Sequence, residues 1–146
     1  MKIAVGSDHA GFALKKHVSA ALSAAGHEVV DVGTTSTESV DYPRFAADAA
    51  RLVASGAADR AVLACGSGNG VAIAANKIDG IRAVNAHDPD EAEMARRHND
   101  INVVTLSGGR LSPQEADAIV ARFLSTEREG GRHARRVDQI GELERG

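Results

Sequence analysis

Cysteine occurs once in this 146-residue chain, at position 65, so no internal disulfide can hold the fold together. A long apolar segment is missing too, and with 43% hydrophobic residues the composition is that of a soluble globular protein. Nor is there a basic excess: 17 Lys and Arg stand against 20 Asp and Glu, a net charge of −3, which argues against a nucleic-acid partner. Met1 to Val5 runs straight into a strand-like segment without the apolar core of a signal peptide, so the cytoplasm is the expected compartment. No linker, repeat or low-complexity stretch interrupts the chain, and its length suits one domain with a real core, spanning residues 1–146.

What is present is alternation. Short apolar runs at Ile3 to Gly6, Glu28 to Val32, Ala61 to Ala64, Ile81 to Val84 and Val103 to Leu106 read as strands. Between and after them, Phe12 to Ala25, Pro43 to Ser55, Val71 to Lys77, Pro89 to His98 and Pro113 to Ser125 read as helices. Asp88 before Pro89 and Ser112 before Pro113 place a cap residue ahead of a proline at the first helical position, which makes those two starts the best defined. The pattern of βα units predicts an α/β class, a doubly wound sandwich around a five-stranded parallel sheet.

The most informative stretch is Ala61 to Lys77, AVLACGSGNGVAIAANK, in which an apolar strand ends at the lone cysteine and opens into a glycine-rich loop. Backbone N–H groups at such a junction lack helical partners, and the helix dipole favours negative charge there. The loop Gly66, Ser67, Gly68, Asn69, Gly70 is therefore suited to hold an anion and to favour a thiolate at Cys65. Taken alone, the same residues also fit a small buried cysteine and a tight turn.

Ligands of doubly wound sheets bind beyond the carboxyl ends of the strands. Those ends carry Ser7, Asp8 and His9; Cys65 and its loop; Asn85, Ala86 and His87; and Ser107, Gly108, Gly109 and Arg110. Acid, imidazole, thiol and guanidinium are thus candidates for one cleft.

The residues also match a family. SDHAGFALK (Ser7 to Lys15), DYPRFA (Asp41 to Ala46), CGSGNGVAIAANK (Cys65 to Lys77), GIRA (Gly80 to Ala83), RRHNDINV (Arg96 to Val103) and EGGRHARRV (Glu129 to Val137) occur in that order over nearly the whole chain. In this the sequence resembles the type B ribose 5-phosphate isomerases and their hexose 6-phosphate relatives. The resemblance implies a Rossmann-like three-layer sandwich with a C-terminal helical tail, and an aldose–ketose isomerisation through a cis-enediolate with no metal or organic cofactor. Cys65 would be the base that moves the proton between C2 and C1, amides of Gly66, Gly68, Asn69 and Gly70 would hold the oxyanion, and Ser67 would bond the substrate oxygens. One branch of the family replaces the cysteine by a glutamate after the loop; Val71 stands there and cannot titrate, so the assignment is of the cysteine type. Cysteine phosphatases need an arginine six residues after the cysteine, a place Val71 also occupies, and that reaction is disfavoured.

By the same resemblance His98 would open the sugar ring, with Asp8 bonding a hydroxyl or the ring oxygen and Asn99 touching hydroxyls or the enediolate. A histidine ending a helix is otherwise most often a cap. His9 is expected near the phosphate or sugar chain, or else as the residue that positions Asp8, and Tyr42 as a rim contact or as packing. Arg110, Arg132, His133 and Arg136 form the natural set for a phosphate dianion, although a basic run such as RHARR outside a family context is usually a solvated face. His17 and His27 are expected at the surface, and His87 is left without a role. A tail over about residues 127–146 reaches a neighbouring subunit more easily than its own cleft, and the resemblance implies a homodimer with active sites shared across the interface, with pairing into a tetramer left open. The expected partner is a small phosphorylated sugar, ribose 5-phosphate first; allose 6-phosphate, galactose 6-phosphate or a tetrulose phosphate remain as alternatives, as does a phosphosugar- or nucleotide-binding module without turnover.

Overall fold

The computed structural model describes residues 1–146. Strands and helices alternate as β1 (Lys2–Ser7), α1 (Phe12–Ala24), β2 (Glu28–Asp31), α2 (Pro43–Ala54), β3 (Arg60–Cys65), α3 (Asn69–Ala75), β4 (Ala83–Asn85), α4 (Pro89–Asn99), β5 (Val103–Ser107) and α5 (Pro113–Ser125), with α6 (Arg132–Leu143) at the end. All pairings are parallel and the sheet order is β2-β1-β3-β5-β4. The order in which strands are added reverses between β1 and β3, the switch point at which ligands of open α/β sheets bind. The register there sets Ser7 beside Ala64 and Cys65 beside Ser107.

Each face of the sheet carries its own apolar layer, giving three layers in all. On one side Leu14, Val18 and Leu22 of α1, Ala92 and Ala95 of α4, and Ile119, Val120 and Phe123 of α5 close over Ile3, Val5, Val62 and Val104. On the other, α2 and α3 present mainly Ala46, Ala49, Ala50 and Ala75, with Val71 buried among them. Small side chains let these two helices lie close to the strands, and that brings the start of α3 tightly against the sheet edge.

The caps read from the sequence are present. Asp88 Oδ1 accepts from the Glu91 amide at 2.8 Å, and Ser112 and Glu115 form a reciprocal capping box with bonds of 3.1 and 3.0 Å. Hydrogen bonding from the Ser112 amide, and then from its hydroxyl, holds the Glu115 carboxyl below its ordinary value. Most boundaries fall within one residue of the sequence reading, and two element starts differ by two. Helix α3 begins at Asn69, two residues early, because Gly68 at φ +81° supplies the turn and leaves Asn69 and Gly70 free to be helical. Strand β4 begins at Ala83, where Ile81 had been expected, since Ile81 turns into the alanine-rich layer.

Helix α6 buries none of its residues. It leans on α4, and Glu144, just beyond its end, accepts from the Gly80 amide at 2.8 Å. Ile140 and Leu143, 41% and 80% exposed, face a groove of about 450 Å³ shared with Ile81, Val84 and Ile101.

Gly11 at the head of α1 packs so tightly that an added Cβ would lie 2.5 Å from the Ala64 carbonyl carbon and oxygen. Because that obstacle is backbone of a central strand, Gly11→Ala is expected to cost about 3 kcal/mol, read as a lowered urea midpoint. Ser112→Ala, which removes one cap, is expected to cost about 1 kcal/mol in the same measurement.

Candidate active site

Three loops meet where β1, β3 and β5 end. A Cβ on Gly108 would lie 2.7 Å from the Ala10 carbonyl oxygen and 3.4 Å from that of Cys65, so only glycine lets the loops close on one another. The Gly108 and Gly109 amides donate to the carbonyls of Cys65 and Gly66 at 2.8 and 3.0 Å, stitching the β5 loop to the β3 loop.

Asp8, only 6% exposed, accepts from the Gly11 amide at 3.0 Å through Oδ1, which fixes its carboxylate at the head of α1. His9 Nδ1 accepts from the Val40 amide at 3.2 Å and so ties its loop to the segment before Tyr42. That segment is anchored again by buried Lys15, whose ammonium bonds Asp31 at 2.8 and 2.9 Å and also reaches the Thr34 carbonyl. Tyr42 lies on the first turn of α3: a Cβ on Gly70 would come within 2.5 Å of its Cζ and 2.9 Å of its hydroxyl. Arg110 is exposed just past β5.

Cys65, 4% exposed, ends β3 with its Sγ accepting from the Gly68 amide at 3.2 Å. The loop that follows is held by its carbonyls. Gly66 C=O accepts from the Ser107 hydroxyl at 2.7 Å, Ser67 C=O from Asn85 Nδ2 at 3.0 Å, and Gly68 C=O from the Thr105 hydroxyl at 2.8 Å. Asn69 donates its amide to Ser67 Oγ at 3.1 Å and accepts from Asn85 Nδ2 at 2.8 Å. The amides of Ser67 and Gly70 meet no acceptor of the chain. The loop thus turns its acceptors inward to the sheet and keeps donors for a ligand. Val71 is fully buried, consistent with a position that carries no acid or base.

The remaining candidates are elsewhere. Helix α4 starts beyond the carboxyl end of β4 and returns over 11 residues, about 16 Å, to the opposite edge. His98 and Asn99 close it there; the Asn99 carbonyl accepts from Arg82 Nε at 3.1 Å, and Arg82 precedes β4. Asp100, at φ 46°, fixes the turn that follows by pairing with Arg96, Arg82 and Arg128 at 2.8, 3.3 and 3.5 Å. The His98 ring stacks on His133 of α6 with centroids 3.9 Å apart and planes 6° apart, and each Nε2 lies 3.4 Å from Glu129 Oε2. Loss of hydration in the stack, with the positive charge of His98, Arg132 and Arg136 nearby, holds the His133 imidazole below the ordinary histidine value, while Glu129 opposes this. Arg132 and Arg136 stand exposed one turn apart on α6.

One chain therefore gathers Asp8, His9, Tyr42, Cys65, Ser67, the loop amides and Arg110 at the carboxyl edge, and His98, Asn99, Arg132, His133 and Arg136 at the amino edge. Asn85 is among the strand-end candidates of the sequence but without an assigned role, and Glu129 and Thr105 are not among the candidates. Thr105 did leave a signal, the one hydroxyl in the buried run VVTL.

A family model described as ribose/galactose isomerase matches residues 3–140. Ribose-5-phosphate isomerase B of Escherichia coli K12 is 46% identical over 143 residues, spanning 98% of this chain and 96% of the relative. The fold superposes on ribose-5-phosphate isomerase B of Clostridium thermocellum with a TM-score of 0.98 at 46% identity, covering 99% of this chain and 98% of that one. The enzyme of Mycoplasma genitalium, solved with bound ribulose-5-phosphate, gives 0.95 at 39% identity and covers 99% and 96%. Matched end to end in sequence and in structure, the chain belongs to the ribose/galactose isomerase family.

Proposed function

We propose that this chain interconverts ribose 5-phosphate and ribulose 5-phosphate, with the Cys65 thiolate as the base that carries a proton between C2 and C1. The observation that supports it most is the placement of Sγ: at the switch point, bonded by one loop amide and bordered by others without acceptors. Removing the C2 proton of the open-chain aldose moves charge onto the O1 oxygen. Amide donors on a fixed backbone meet that charge without reorganising, which is where such donors contribute most. Ser67, whose hydroxyl already faces the loop amides, bonds the substrate oxygens as their protons move. Returning the proton to C1 completes the ketose, and the thiolate is regenerated.

Ring opening and phosphate binding need groups that one chain holds at its far edge. The site is completed by a second copy, which brings His98 and Asn99 toward the sugar and Arg132, His133 and Arg136 toward the phosphate. Fork-shaped guanidiniums suit a phosphate dianion, and the His133 ring can add an N–H donor beside them. Asp8, with its carboxylate fixed beside β3, then faces the sugar hydroxyls across from His98. Support for a homodimer comes from α6, which leaves Ile140 and Leu143 uncovered next to the groove along β4.

In a coupled assay, ribose 5-phosphate is expected to turn over faster than allose 6-phosphate, galactose 6-phosphate or erythrulose 4-phosphate. Cys65→Ala, with an unchanged circular dichroism spectrum, is expected to lower kcat about 10³-fold; a variant that keeps its rate would remove the thiolate from the mechanism. Division of the site is tested by mixing. Cys65→Ala and His98→Gln are each expected to be nearly inactive, yet equal amounts refolded together should recover about a quarter of wild-type activity, since half of the dimers are mixed and each holds one intact site. No recovery would place all the residues of a site in one chain.

A further inference from the structure

The glycine loop has little to specify its own shape. Gly66, Gly68 and Gly70 alternate through it, and glycine leaves the intervening peptide planes free to rotate. Their orientation must come from outside, and in this structure it comes from β4 and β5. Asn85 and Thr105 are directly paired across those strands, at the last position of β4. Thr105 is fully buried, its hydroxyl 2.8 Å from the Gly68 carbonyl and 3.3 Å from Asn85 Oδ1. Asn85 in turn directs its amide nitrogen at the Ser67 carbonyl and at Asn69 Oδ1. The fit is close: a Cβ on Gly68 would land on the Asn85 carboxamide, so glycine there is what admits the bond.

A trans peptide is planar, with its C=O and the N–H of the next residue pointing in opposite directions. Ser67 C=O, held by Asn85, and Gly68 N–H, donated to Cys65 Sγ, are the two ends of one such plane. We infer that Asn85 is a positioning residue which, braced by Thr105, holds the Ser67–Gly68 peptide so that its N–H faces the sulfur of Cys65. Without Asn85 this plane can turn over about the Ser67–Gly68 link, where Gly68 leaves φ unrestricted, taking the N–H away from Sγ and presenting a carbonyl dipole in its place. The thiolate then loses its donor. Thr105 acts one plane further on, through the Gly68 carbonyl, and its removal frees Asn85 as well.

This rests on Cys65 being the reactive base, but the test reads the sulfur directly. Because Cys65 is the only cysteine, thiolate absorbance at 240 nm and the rate of alkylation by iodoacetamide belong to that residue alone. In the full-length protein at pH 7, Asn85→Ala is expected to slow alkylation about tenfold, the scale of one hydrogen bond to a charged group. It should also diminish the thiolate absorbance and lower kcat by a similar factor with KM nearly constant. Thr105→Val, close in shape, is expected to give a smaller loss of the same kind, and Thr105→Ser to restore it. Loss of stability alone would move the melting temperature and leave thiolate absorbance and alkylation as in the wild type; that outcome in Asn85→Ala, or in Thr105→Val should the first variant not fold, overturns the inference. Slower alkylation with undiminished turnover would uphold the positioning role and count against Cys65 as the base.

Discussion

In a parallel sheet every strand ends on the same edge, and every helix that leads to the next strand must end on the other. Nearly everything about this protein's site follows from that constraint. Residues placed at or just after a strand's end, such as Asp8, Cys65 and Arg110, gather at one edge whatever their distance in sequence. Residues that close a helix, such as His98 and Asn99, are carried to the opposite edge however near they lie to the same strands in the chain. The mechanism proposed above draws on both groups, and in that proposal a second copy supplies the far set without bending the fold.

Close packing does the rest at the carboxyl edge. Alanines on α2 and α3 let the start of α3 approach the sheet, Gly11 lets α1 rest on the backbone of β3, and Gly108 lets the β5 loop slide between its neighbours. Each small residue removes a side chain at a place where backbone then meets backbone, so that amides and carbonyls, in place of long side chains, determine the shape of the pocket. Rigid donors of this kind lose little entropy when a ligand arrives.

Much of this was legible in the chain. Apolar runs located all five strands, and Asp88–Pro89 and Ser112–Pro113 marked two helix starts, because strand burial and capping are local effects. The start of α3 was read late since its first residues, Asn69 and Gly70, have loop-like propensities that the positive φ of Gly68 overrides. Cys65 stands out by its loop, whereas Asn85 shows only its place at a strand end and Thr105 only a hydroxyl in an apolar run. Their role depends on β5 lying between β3 and β4, an order in space that differs from the order in sequence. Glu129 was hidden for a similar reason: only the packing of α6 on α4 brings it between two histidines.

The position of Tyr42 has a practical side. The chain holds no tryptophan and a single tyrosine, and that ring rests on Gly70 in the first turn of α3. Tyrosine emission from this molecule accordingly originates at one point, beside the glycine loop. The protein carries its own optical probe of the pocket, free of background from any other fluorophore of its kind.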